Sequence, residues 1–229
     1  MEMKRVYAIN GSPRRNRNTA TLLDKALEGA CAALAPGGVT AERIDLYDLR
    51  FTGCRSCFAC KLKDGPSYGR CAIRDDLQPV LDRLREADAV IFGSPVYYRT
   101  ITGQLHAFYE RLLYPYMTYK TGYPTLVTNR LRTACIYTMN VGPEEMQADG
   151  YRRNMETFEF FLEKYFSKPR LLFSFNTLQF SDYSRYVCET FDEREKRAYR
   201  EAHFPTDCRR AYDLGFGLFR ASGDSPVEP

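Results

Sequence analysis

The sequence predicts an α/β fold: a doubly wound parallel sheet of five strands in the order 2-1-3-4-5, with helices on both faces. Three observations carry this. Short apolar segments suited to strands alternate with segments of helical periodicity along most of the chain. Residues 87–92 form an apolar strand of the kind buried on both faces of a parallel sheet. Small polar loops follow the first and third strands, at 10–19 and 93–98, and flank the crevice where the strand order reverses.

The first strand, 6–9, ends in the turn Asn10-Gly11-Ser12-Pro13. Thr19 then opens a helix whose apolar residues (Leu22, Leu23, Ala26, Leu27, Ala30) recur at helical spacing. A strand, a small polar loop and a helix N-terminus make a phosphate cradle. The first-turn amides lack intrahelical partners, the dipole favours an anion, and Gly11 lets the backbone come close. Ser12, Asn18 and Thr19 add short donors, and Arg14 adds a planar cation. The loop is neither Gly-x-Gly-x-x-Gly nor Gly-x-x-x-x-Gly-Lys-Ser/Thr, so the dinucleotide and triphosphatase fingerprints are absent. A monophosphate held by hydroxyls and amides suits a flavin mononucleotide; an ordinary βα turn is the alternative.

Residues 35–38 form a turn, and 39–46 alternate as a second strand (Val39, Ala41, Ile44, Leu46). A long loop, 47–76, carries a cysteine cluster. Asp75 and Asp76 are placed to cap an amphipathic helix over 77–84. After the third strand, Gly93-Ser94-Pro95-Val96-Tyr97-Tyr98 offers a wall for a flat ring. Pro95 stiffens the turn, the following N–H groups are expected to be free to address a pyrimidine edge, and Tyr97 and Tyr98 offer stacking faces. A strand end with solvent-facing tyrosines is the plainer alternative. A helix over 102–114 buries Leu105, Phe108, Leu112 and Leu113. The fourth strand, 133–139, ends in Thr138-Met139-Asn140, which would meet the other side of the ring. Residues 141–143 turn away, 151–166 form a strongly periodic helix, and 171–180 the fifth strand. Helices follow over 193–201 and 206–219. One domain is expected over 1–221, with a flexible tail at 222–229.

With 44% hydrophobic and 27% charged residues over 229 positions, the chain has the make-up of a globular protein. A net charge of +4, evenly spread, gives no footprint for nucleic acid. No apolar run reaches the ~18 residues of a membrane span, and the charged N-terminus is no signal peptide, so the expected compartment is the cytoplasm. Of eight cysteines, Cys31, Cys135, Cys188 and Cys208 are scattered in apolar or helical surroundings and read as filler. His106 and His203, the two histidines, read as helix residues without a catalytic role.

Gly11-Ser12-Pro13-Arg14 with Asn18-Thr19, Gly93-Ser94-Pro95-Val96-Tyr97, and Gly103-Gln104-Leu105 through Glu110-Arg111 together resemble the flavodoxin-like NADPH-dependent FMN reductase family. With the cysteine loop added, the chain resembles its iron–sulfur flavoprotein branch. The resemblance implies FMN as prosthetic group, its phosphate at Ser12, Arg14, Asn18 and Thr19. It implies a ring along Pro95, Val96, Tyr97 and Tyr98, with Thr138, Met139 and Asn140 opposite. It also implies a homodimer or homotetramer with the flavin near a subunit boundary. Residues beyond 150 match no functional motif.

The cysteine loop reads Cys54-x-x-Cys57-x-x-Cys60, then ten residues, then Cys71. Two-residue spacing lets thiolates converge on one cluster. In the iron–sulfur flavoproteins the fourth cysteine follows more closely, and here Lys61, Lys63 and Arg70 flank the interval. Three readings stand: a [4Fe–4S] cluster on Cys54, Cys57, Cys60 and Cys71, a cysteine loop without metal, and zinc, which usually takes two separated knuckles.

The expected function is an FMN-dependent oxidoreductase that takes electrons from NAD(P)H and passes them to a quinone, flavin or other small acceptor. Since the flavin carries the chemistry, no acid–base residue is assigned. An iron–sulfur electron carrier served by ferredoxin, and a non-enzymatic redox- or metal-sensing module, are the alternatives.

Overall fold

The computed structural model describes residues 3–34 and 36–220. Ala35 of the expected 35–38 turn and the expected tail at 222–229 lie outside them. Five strands, β1 (Lys4–Asn10), β2 (Val39–Asp45), β3 (Ala89–Pro95), β4 (Arg132–Thr138) and β5 (Arg170–Ser174), pair in parallel in the order β2-β1-β3-β4-β5. The expected order is therefore the observed one.

Alternation along each strand divides the core. Tyr7, Ile9, Val90, Phe92, Cys135 and Tyr137 face α2 (Gln78–Leu84), α3 (Gly103–Leu113) and α5 (Tyr151–Tyr165). Val6, Ala8, Ala89, Ile91, Ala134 and Ile136 face α1 (Asn18–Ala32) and α6 (Glu193–Gly217). Alanine stands at three of these six positions, Ala8, Ala89 and Ala134, which lets α1 and α6 approach the sheet. Two glycines set their crossing. A Cβ on Gly29 would lie 1.9 Å from the Tyr212 carbonyl oxygen, and one on Gly215 would lie 1.8 Å from that of Ala26. Only hydrogen fits at either position.

Two expectations are corrected. The fifth strand stops at Ser174 and not at residue 180, because Asn176 takes a left-handed φ of 48° and turns the chain back over the sheet end. The two C-terminal helices are one, α6, which runs through Pro205. Proline removes one intrahelical bond, but packing of Ala211, Leu214 and Gly215 on α1 keeps the axis continuous. A short helix, α4 (Pro143–Ala148), begins at the last residue of the expected 141–143 turn and fills a stretch for which the sequence suggests no element.

Of the scattered cysteines, Cys135 is buried in the core, whereas Cys31, Cys188 and Cys208 are half-buried. Both histidines are exposed on helices, His106 on α3 and His203 on α6, where its ring stacks 4.1 Å from that of Tyr199. Among the described residues no helix is long and apolar enough to cross a membrane.

Candidate functional site

The loops after β1 and β3 are stitched together at the strand-order reversal. Gly11 N donates to the Gly93 carbonyl at 2.8 Å, and Thr102 Oγ1 donates to the Gly11 carbonyl at 2.7 Å. Thr102 also caps α3 by accepting from Leu105 N. Both glycines are required by contact: a Cβ on Gly11 would meet Leu105 at 2.9 Å, and one on Gly93 would meet Leu23 at 2.6 Å.

The expected phosphate residues are brought together at the α1 N-terminus. Ser12 is buried, its amide on Asn10 Oδ1 (3.0 Å) and its hydroxyl accepting from Arg14 N (3.1 Å). Thr19 is buried, its hydroxyl 2.7 Å from that of Thr138. Arg17, at the helix N-cap, makes no side-chain cap, so the first-turn amides have no capping side chain.

What the sequence does not announce is the cover. The segment between β5 and α6 crosses the mouth of this cradle. Leu178 accepts from Asn18 Nδ2 at 3.1 Å, and the Gln179 carbonyl accepts from Arg14. Asn140 Nδ2 reaches Gln179 Oε1 at 3.2 Å. From α6, Lys196 Nζ donates to the Asn140 carbonyl and Asn140 Oδ1, both at 2.6 Å, and to Asn176 Oδ1 at 3.2 Å. Burial pushes the Lys196 ammonium below its ordinary value. One turn later Arg200 Nη1 donates to Asn18 Oδ1 at 2.5 Å. The sequence signal for these residues is faint: Lys196, Arg200 and Phe204 recur at four-residue spacing on one helix face.

The ring corner departs from expectation. The Val96 amide donates to the Thr138 carbonyl (2.9 Å) and the Tyr97 amide to that of Thr100 (2.8 Å), so neither is free. Tyr97 and Thr100 close a tight turn in which Tyr98 (φ 49°) and Arg99 (φ 66°) are both left-handed. That geometry suits glycine or asparagine, and holding two larger residues in it stores strain at the corner. Tyr98 is thrown fully into solvent. Thr138 and Met139 are buried beneath the sheet end and offer no face, which leaves Pro95, Val96, Tyr97 and Asn140 as the partly accessible members of the expected ring set.

On the α3 side, Cys54, Cys57, Cys60 and Cys71 line one small cavity of about 20 Å³ with Phe58, Arg111 and Tyr114. Left-handed residues flank Cys57 on both sides, Ser56 (φ 51°) and Phe58 (φ 53°). Arg111 is fully enclosed. It donates from Nε to Cys71 Sγ (3.3 Å), to the carbonyls of Thr52 and Ile73 (3.2 Å each), and bidentately to Asp75 (2.5 and 3.0 Å). Asp75 thus serves Arg111 first. Its other contact, 3.2 Å from Leu77 N, is the expected helix-start role, while Asp76 turns away to the Arg50 amide.

Lys61 donates to the carbonyls of Tyr114, Pro115 and Met117, at the C-terminal end of α3, where a cation is favoured. Burial pushes the Cys60 thiol up, against the charge of Lys61. Among the described residues no group of three or more His, Cys, Asp or Glu is arranged around a single metal ion. Beside Cys54 a wider apolar cleft runs between α3 and α5, lined by Ile101, Tyr109, Leu113, Phe158 and Phe161.

Comparison with known proteins bears on the family and the fold. The chain is 37% identical over 107 residues to an iron–sulfur flavoprotein of Methanocaldococcus jannaschii, covering 47% of this chain and 51% of that one. It is 37% identical over 112 residues to an iron–sulfur flavoprotein of Archaeoglobus fulgidus, covering 49% and 46%. The matched stretch spans about half the length of these curated relatives. In fold it is similar to an NAD(P)H:quinone oxidoreductase from Methanothermobacter marburgensis, at TM-score 0.70 and 16% identity over 96% of this chain and 100% of that one. An azoreductase from Bacillus anthracis superposes at TM-score 0.66 with 15% identity, over 94% and 100%. A model of the NADPH-dependent FMN reductase family matches residues 4–140, which hold β1 to β4, both crevice loops and the cysteine loop, and the chain belongs to that family.

Proposed function

We propose that the protein is an FMN-dependent oxidoreductase that takes electrons from NAD(P)H and delivers them to a small acceptor. The observation that carries this is the junction of the 10–19 and 93–98 loops at the strand-order reversal, where donors of a helix N-terminus face one short crevice. Family membership supports it. When bound, FMN supplies a two-electron acceptor that also releases electrons singly.

The chain's own residues do the binding and orienting. Ser12, Asn18, Thr19 and the α1 amides would hold the phosphate, with Arg14 neutralising it. Pro95, Val96, Tyr97 and Asn140 would border the ring. Lys196, by pinning Asn140, would keep that border in place and exclude water from beneath it. The apolar cleft between α3 and α5 would take a flat aromatic acceptor such as a quinone.

The convergence of Cys54, Cys57, Cys60 and Cys71 on one cavity favours a second element of the reading: a [4Fe–4S] cluster, with Arg111 donating to the Cys71 sulfur. Anaerobic purification should then give brown protein with about four iron per chain. Cys57→Ser would lose the iron and Cys188→Ser would keep it.

The deciding experiment is anaerobic titration of the FMN-loaded protein with NADPH and NADH. Bleaching of the blue flavin band by either nucleotide is the expected result. Reduction by dithionite or reduced ferredoxin alone would replace the reductase with an electron carrier.

A further inference from the structure

Three arginines gather where α1 begins, and among the described residues none of them pairs with a carboxylate. Arg14 meets the Gln179 carbonyl, Arg17 stands exposed at the N-cap, and Arg200 reaches in from α6, 182 positions further along the chain. Elsewhere the arginines of this surface do find acids: Arg15 pairs with Asp48, and Arg43 with Asp24 and Asp45. Arg200 is half-buried, its guanidinium 4.1 Å over the Phe204 ring and one nitrogen on Asn18 Oδ1. Both contacts hold its orientation, and neither cancels its charge.

Collecting like charges at the positive end of a helix dipole is unfavourable unless an anion shares the site. Burial pushes the Arg200 guanidinium below its ordinary value, against an opposing contribution from Cys208 and helped by the like charge of Arg17. The rest of α6 secures the placement. Lys196, one turn earlier, is tied to Asn140 and Asn176, and Gly215 locks the helix against Ala26 of α1.

We propose that Arg200 is the outer cation of the phosphate site, so that the C-terminal third of the chain completes a cradle begun by residues 10–19. The match to the family ends at residue 140, and Arg200 lies beyond it. The inference rests on reading the crevice as the FMN site. The group recognised is a phosphate monoester dianion, and Arg200 acts on that group and not on the ring.

The test pairs two flavins that differ by that phosphate. Protein freed of flavin is titrated with FMN and with riboflavin, following flavin fluorescence, for wild type, Arg200→Gln and Arg200→Lys. Arg200→Gln should weaken FMN by about tenfold to a hundredfold, the range of one charge-assisted contact, and leave riboflavin within about twofold. Arg200→Lys keeps the charge but not the fork and should fall between wild type and Gln for FMN. Circular dichroism melting establishes that each variant is folded, and if the Gln variant is not, the Lys variant decides by the same FMN-to-riboflavin ratio. Equal loss for both flavins would make Arg200 a packing residue and overturn the proposal, as would no loss for either. Wild-type protein that takes up neither flavin would overturn the crevice reading itself, an outcome separate from both.

Discussion

Arg111 and Arg200 each tie a loop to a helix from a buried or half-buried position, and they differ in what faces them. Arg111 spends its donors on Asp75, two carbonyls and the Cys71 sulfur, so its charge is neutralised within the chain. Arg200 has one amide oxygen and one aromatic face. The cysteine loop is therefore a finished structure before its thiols bind anything, further held by Lys61 on three carbonyls. The phosphate end is left with excess positive charge that a bound anion would balance. A pre-built thiol pocket and a charge-unbalanced cradle are two ways of preparing for a ligand, one through geometry and the other through electrostatics.

The largest expected effect falls on the finished side. Arg111→Leu strands Asp75 in a mostly buried setting and should lower stability by about 3–5 kcal/mol in urea denaturation. Adding Asp75→Asn should recover part of the loss. A loss below about 1 kcal/mol, the worth of an exposed pair, would show that the loop does not depend on it.

Next comes the helix that carries the unbalanced side. Gly215→Ala places a methyl 1.8 Å from the Ala26 carbonyl oxygen, so α6 must move. We expect a loss of about 1–3 kcal/mol in thermal or chemical denaturation. FMN affinity should fall with it, because Arg200 rides on the same helix. Unchanged affinity in the destabilised variant would separate α6 docking from cofactor binding.

Lys196→Met sharpens the contrast within α6. It removes three hydrogen bonds to Asn140 and Asn176 beside the ring, and none at the phosphate. FMN and riboflavin should both weaken, by about tenfold and by the same factor, unlike the phosphate-selective pattern expected of Arg200→Gln.

The smallest effect concerns Asp207, whose Oδ2 accepts from Ser174 at 2.6 Å. Burial raises its carboxyl above the ordinary 3.8. The folded chain then binds this proton more tightly than the unfolded one. Its contribution to stability is full below pH 3.8 and is lost as pH rises through the folded value. Asp207→Asn should accordingly stabilise the protein slightly at neutral pH, and the gain should vanish toward pH 3.8. A gain that persisted in acid would need another cause.

The parts legible in the sequence are those fixed by short-range pattern. The apolar runs of β1, β3 and β4 fix the strands, and Gly11 and Gly93 mark where two loops must touch. Asn18 and Thr19 open α1, and Ser12 lies in the short loop just before it. What was hidden depends on partners far along the chain. Asn18 meets Leu178 across 160 positions, and no periodicity carries that information. The end of β5 turns on the left-handed conformation of Asn176, one that asparagine tolerates without requiring it. Pro205 reads as a helix break, yet burial of α6 on α1 outweighs the single bond it removes. The amides of Val96 and Tyr97 look free in sequence because their acceptors, Thr138 and Thr100, become neighbours only once β4 and the tight turn are formed.

Everything functional here depends on one crevice taking the flavin phosphate-first. A crystal structure of the protein soaked with FMN measures this directly. The phosphate should lie at the α1 N-terminus, within hydrogen-bonding distance of Ser12, Asn18, Thr19 and Arg200, with the ring beside Pro95 and Tyr97. Flavin density elsewhere on the molecule, or a phosphate remote from Arg200 and the α1 amides, would contradict it.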